Sequence, residues 1–195
     1  MIFSGCTLIA LVAVCLSRSH QENSAFGIVY GICLLACSLC SYLYTTRFSG
    51  LSNAFLRQLD HAAIFLLIAG TYTPFTIADP AGLFGIRLLY WVWSLALTGV
   101  TMRLIFRDGY DKLFVGLYVM LGWLFIAAIA DASRSISTLS LVFLGLGALT
   151  YSIGAVIFAR NKSRWADPIW HASVLIASVF HFVAIMIFVT QSTGA

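Results

Sequence analysis

The chain has 195 residues, of which 61% are apolar and 9% charged, and its formal net charge is +4. Soluble domains carry roughly 25% charged residues, so this composition excludes an ordinary soluble protein, and the gaps between apolar stretches are too short for a linker or a low-complexity tail to be expected. The basic excess does not imply a nucleic-acid partner, because the cations are scattered over short gaps that membrane topology accounts for.

A span needs about 20 apolar residues to cross a hydrocarbon core of about 30 Å. Seven stretches are read as spans in chain order. Ile2–Leu16 has no basic flank before it and no convincing cleavage site, so a short first helix is expected there and not a signal peptide. Ala25–Tyr44 carries Cys33, Cys37 and Cys40 at i, i+4 and i+7, on one helical face. These are expected as small packing residues, with a thiolate metal site as the alternative. His61–Ile77 contains Thr71 and Thr73 just before Pro74, and the hydroxyls are expected to satisfy carbonyls that the proline frees. Leu88–Leu104, Leu113–Ala130, Leu139–Phe158 and Ile169–Val189 follow. Trp91, Trp93, Trp123 and Trp170 lie near helix ends and are expected as interface anchors.

Eight of the eleven Lys and Arg residues fall into alternate gaps: Arg47 and Arg57, then Arg103, Arg107 and Lys112, then Arg160, Lys162 and Arg164. Arg18, Arg87 and Arg134 stand one to a gap. Cytoplasmic loops carry the excess of Lys and Arg. The expected fold is therefore all-α, a polytopic membrane protein forming one seven-transmembrane helix bundle over residues 1–195, with the N-terminus cytoplasmic and the C-terminus outside. That orientation is opposite to a G-protein-coupled receptor. A retinal protein is excluded because the last helix has no lysine, and a channel is disfavoured because the polar groups gather at one end.

Ionisable groups inside spans are expensive and are functional candidates by default. Asp60 and His61 are expected to open the third helix, and Asp167 and His171 the seventh, at the level where Ser41, Tyr44 and Thr45 end the second. Asp60 reads either as a helix-starting carboxylate paired with Arg57 or as a general acid or base. His61 reads as a ligand or as a solvated interface residue. Asp167 and His171 are spaced i, i+4, which suits two ligands of one metal ion. Asp167 is also followed by Pro168, the pattern of an N-cap before Pro at N1. His181 lies ten residues past His171, about 15 Å deeper along the helix.

The run from Leu59-Asp60-His61 through Gly70-Thr71-Tyr72-Thr73-Pro74-Phe75 closely resembles the third-helix signature of the hemolysin III family. Gly122-Trp123, the Tyr-x-x-Gly of Tyr151 to Gly154, and the run from Trp170-His171 to Phe180-His181-Phe182 resemble three further family motifs. That family stands with the progestin and adiponectin receptors and, more distantly, the alkaline ceramidases. The resemblance implies a seven-helix bundle with a cytoplasmic N-terminus. It also implies a zinc ion held by one His ending helix two and two His at His-x-x-x-His spacing in helix seven, completed by a helix-two Ser and a helix-three Asp. On this sequence Ser41 and Asp60 stand at the Ser and Asp positions, and His171 at the last ligand position. Thr45 and Asp167 occupy the other two ligand positions, where the family has His. The family's acidic, His-containing segment ahead of helix one is not in the sequence.

Two functions follow as expectations. In the first, the chain is a lipid-binding, sensing or regulatory membrane protein whose metal site is degenerate. In the alternative, it is a metal-dependent hydrolase of ceramide-like lipid amides. There His171 and Asp167 hold the metal, with zinc as the candidate, and Asp60 and Ser41 assist catalysis. The expected partners are membrane lipids, and the expected location is the cell membrane, the inner membrane if the protein is bacterial.

Overall fold

The computed structural model describes residues 2–17, 22–76, 83–106, 110–126, 136–160 and 163–191. Expectations placed on Arg18, Arg107, Arg134, Lys162 and residues 77, 127–130 and 192–195 lie outside them. Among the described residues there are seven helices and no strand. They are α1 (Ile2–Ser17), α2 (Glu22–Thr45), α3 (Asn53–Thr76), α4 (Leu83–Ile105), α5 (Asp111–Trp123), α6 (Thr138–Arg160) and α7 (Ala166–Gln191). Among the described residues four segments are long and apolar enough to cross a membrane: Phe26–Thr45, Gly85–Ile105, Thr138–Arg160 and Ala166–Gln191. The chain is an all-α, multi-pass membrane protein.

The chain divides into two compact units, Met1–Gly109 and Tyr110–Ala195. In the first, α1 packs on α2, α2 on α3, and α3 on α4. Flanked by two helices, α3 is buried from Ala62 to Phe65 and again from Ala69 to Thr76. A helix shielded by protein need not be apolar, and α3 indeed buries Gln58, Asp60 and His61. Small residues set the close approaches. A Cβ at Gly70 would lie 2.8 Å from that of Cys33, and one at Gly99 would lie 2.5 Å from the Phe65 ring. Cys33 and Cys37 are buried side chains, with Cys33 against α3.

The junction between α2 and α3 explains where each begins and ends. Phe48 N–H bonds to the Leu43 carbonyl (3.1 Å) and Arg47 N–H to that of Tyr44 (3.2 Å), the two bonds of a Schellman end. That end places Arg47 at φ 50°, a conformation that favours glycine. Arg47→Gly is therefore expected to raise stability by about 0.5–1 kcal/mol, read as a higher unfolding temperature in the same detergent.

Ser52 Oγ then accepts the Phe55 N–H (3.3 Å) and caps α3. This corrects the sequence reading of Asp60 and His61 as helix openers. The helix starts at Asn53, and Asp60 lies about two turns inside it. The proline reading also needs correction. Pro74 frees the carbonyl of Gly70, whereas the Thr71 and Thr73 hydroxyls donate to Leu67 (2.9 Å) and Ala69 (2.9 Å). Thr73 Oγ1 also accepts Trp93 Nε1–H (3.1 Å), tying α3 to α4.

In the second unit α6 packs along α7, and α5 packs against α6. Trp170 is 3% exposed, stacked on Tyr118 (6.5 Å between centroids) and tilted against Phe158 (5.7 Å). It is a core residue and not the interface anchor that its place near a helix end suggested. Trp91 is exposed, and Trp123 donates to Ser152 Oγ (2.8 Å). Ser140 Oγ donates to the Ala184 carbonyl (3.1 Å), a further tie between α6 and α7. The first helical bond of α7 runs from Ile169 N–H to the Trp165 carbonyl (3.0 Å). Asp167 thus lies inside the first turn and is not the N-cap. A carboxylate there still faces the positive end of the helix.

Candidate functional site

Two consecutive residues of α3 organise the polar interior of the first unit. Ser41 Oγ, near the end of α2, donates to Asp60 Oδ1. Arg103 Nη2, in the last turn of α4, donates to His61 Nδ1 (3.0 Å). Arginine has no acceptor, so Nδ1 must accept, and His61 is held neutral with its proton on Nε2. Successive residues on a helix point about 100° apart, which lets Asp60 reach α2 while His61 reaches α4. Asp60 is 1% exposed, His61 5% and Arg103 0%. His61 is therefore not a solvated interface residue, because the guanidinium holds it inside the unit. Chemically, this arrangement polarises the Ser41 hydroxyl toward a carboxylate and lodges a permanent cation beside an imidazole.

Thr45 lies one turn beyond Ser41, and its hydroxyl donates to the Ser41 carbonyl (2.8 Å). Threonine near a helix end commonly bonds back in this way.

In the second unit Asp167 is exposed and His171 half-buried, one turn apart on α7. His181 is buried farther along the same helix and tilted against Tyr151 (5.5 Å). Tyr151 Oη in turn lies 3.1 Å from Ser178 Oγ. Gly147 makes room for the imidazole, since a Cβ there would collide with the His181 ring. Ser41 and Asp60 are thus brought together, and Asp167 and His171 share one stretch of α7.

A family model described as haemolysin-III related matches residues 1–182. The chain belongs to this family. It is 34% identical over 160 residues to a hemolysin-3 homolog of Bacillus subtilis (strain 168), covering 82% of this chain and 75% of that protein. It is also 34% identical over 166 residues to the hemolysin-3 of Bacillus cereus, covering 85% and 76%. No solved structure matches the chain.

The zinc that the hemolysin III resemblance implies can be tested against these residues. At the first ligand position Thr45 supplies a neutral hydroxyl already donated to its own helix, and zinc sites use Cys, His or carboxylate. The second position holds the exposed Asp167, and only the third, His171, keeps its imidazole. His61 is engaged by Arg103. Among the described residues no three His, Cys, Asp or Glu side chains converge as a metal site. The residues present do not fit that zinc.

The functional residue that sequence reasoning misassigned is Arg103, counted there with the loop cations. Its signal was legible nonetheless. Leu88, Val92, Ala96 and Arg103 follow helical spacing, and all four are buried on one face of α4.

Proposed function

We propose that this hemolysin III family member is a non-catalytic membrane protein that binds lipid in a sensing or regulatory role. The observation that carries this reading is the Thr45 hydroxyl donating to the Ser41 carbonyl, at the position where the family's first imidazole stands. With Asp167 exposed at the second position, the chemistry that would activate a metal-bound water has lost two of its three imidazoles. The N-terminus is cytoplasmic on this reading. Arg103 no longer counts as a loop cation, but Arg47, Lys112 and Arg164 still favour alternate gaps. Cell-membrane lipids are the partners, and a multi-pass location in that membrane follows. Neither relative's hemolysin name brings a lytic role to this chain, whose polar groups do not run down one helix face as a pore requires.

The second reading, a metal-dependent hydrolase of ceramide-like lipid amides, is favoured by one observation. Ser41 and Asp60, the assisting residues of that reading, are hydrogen-bonded to each other. One experiment separates the two. The full chain is reconstituted in lipid nanodiscs, co-purified lipids are identified by native mass spectrometry, and release of fatty acid from a panel of ceramides is followed. The proposed function predicts a reproducibly retained lipid class and no amide hydrolysis. Hydrolysis that disappears in both His171→Ala and Asp60→Asn would establish the enzyme instead.

A further inference from the structure

We infer that Arg103 is a positioning residue. Through His61 it fixes the rotation of α3 that keeps Asp60 on Ser41, so the polar end of the first unit is clasped without a metal. The inference is independent of what the protein binds.

The argument begins with the cost of burying a guanidinium. Withdrawing a cation from water is costly, so a hydrogen bond that it makes inside the protein carries weight, and losing that bond leaves a buried polar group unsatisfied. Arg103 is completely buried in an otherwise apolar face of α4, between helices whose neighbouring contacts are Gly99 against Phe65 and Trp93 against Thr73. Its Nη2 meets His61 Nδ1 at 3.0 Å. Asp60 is the preceding residue on α3, so a helix rotation that pulled His61 away from Arg103 would also swing Asp60 away from Ser41. The two bonds therefore act on one rigid element in directions about 100° apart, α2 through Ser41 and α4 through Arg103. Nothing in this clasp involves Thr45, Asp167 or His171, the three positions where the family resemblance places metal ligands. The donor set fails zinc while a buried guanidinium–imidazole bond secures the neighbouring carboxylate. The geometry thus assigns to Arg103 a holding role that needs no metal.

A local reporter is already present. Cys40 precedes Ser41 on α2 and is only half-buried, whereas Cys6 is an exposed thiol of α1. The test follows modification of each cysteine by N-ethylmaleimide in the full-length, detergent-purified protein, resolved by peptide mass spectrometry, with and without EDTA. Arg103→Leu and His61→Leu are expected to speed modification of Cys40 on the order of tenfold, because each breaks a bond to a buried charged group. Cys6 should be unaffected. His61→Gln, whose amide oxygen can still accept from the guanidinium, should stay within about twofold of the parent rate. It also serves if the leucine variants fail to fold, because Arg103→Lys, which keeps the charge but not the planar fork, can be compared with it. EDTA should change none of these rates. The inference is overturned if Cys40 reacts at the parent rate in the folded leucine or lysine variants. A joint rise of Cys6 and Cys40, which is general loosening, overturns it too. So does faster Cys40 modification of the parent protein in EDTA.

Discussion

Asp60→Leu is expected to destabilise the protein by about 2–4 kcal/mol, and Asp60→Asn by only about 1 kcal/mol. Leucine keeps the branched shape, is larger, and leaves the Ser41 hydroxyl without its acceptor. It also strips a negative charge from an interior that holds the Arg103 guanidinium. Asparagine keeps an oxygen facing Ser41 and forfeits only the charge. The comparison separates two meanings of the same residue. If Asp60 served solely as a catalytic group, either substitution would leave folding intact and abolish turnover. Thermal unfolding followed by a thiol-reactive fluorophore in one detergent decides it, and equal unfolding temperatures for parent and Asp60→Leu would contradict the role drawn from its burial.

The second large effect lies at the α6–α7 seam. Gly147→Ala is expected to cost about 1–3 kcal/mol, and Gly147→Val more, because the added carbons meet the His181 imidazole. The ring cannot simply retreat, since it is buried and leans on Tyr151. Combining Gly147→Ala with His181→Ala should therefore cost less than the sum of the two single changes, as residues in direct contact are not additive. Additive losses would mean that glycine serves some other purpose here, such as a local bend in α6.

How much of this was legible in the sequence depends on the range of the interaction. The seven helices follow from apolar stretches that each read locally, and the hemolysin III family was carried by a long run of α3 residues. The start of α3 was misplaced because the continuous apolar run begins after Asp60, while Asn53–Leu59 mixes polar and apolar residues. The cap that starts the helix is a single Ser52 hydroxyl. Arg103 was misassigned for a related reason. A positive residue near the end of an apolar stretch looks like a loop charge unless its angular position is followed along the helix, and only the partner on α3 explains why it is buried. The pairing of Ser41 with Asp60 was available from the family pattern, but the clasp beside it was not. It joins residues 42 positions apart, and no local rule of spacing encodes such a distance. Thr45 and Asp167 lie at the other extreme, since their chemistry was evident from residue type alone.

The central claim is that this family member has kept its helices without the metal. The most direct measurement is the elemental metal content of the detergent-purified protein beside an identically purified His171→Ala variant, with unfolding temperatures for both. The account predicts far less than one metal ion per chain in either sample. It also predicts that the half-buried His171 can be lost at a cost within about 0.5 kcal/mol, as for most substitutions away from the core. One metal ion per parent chain that vanishes in His171→Ala, with a marked fall in unfolding temperature, would contradict it.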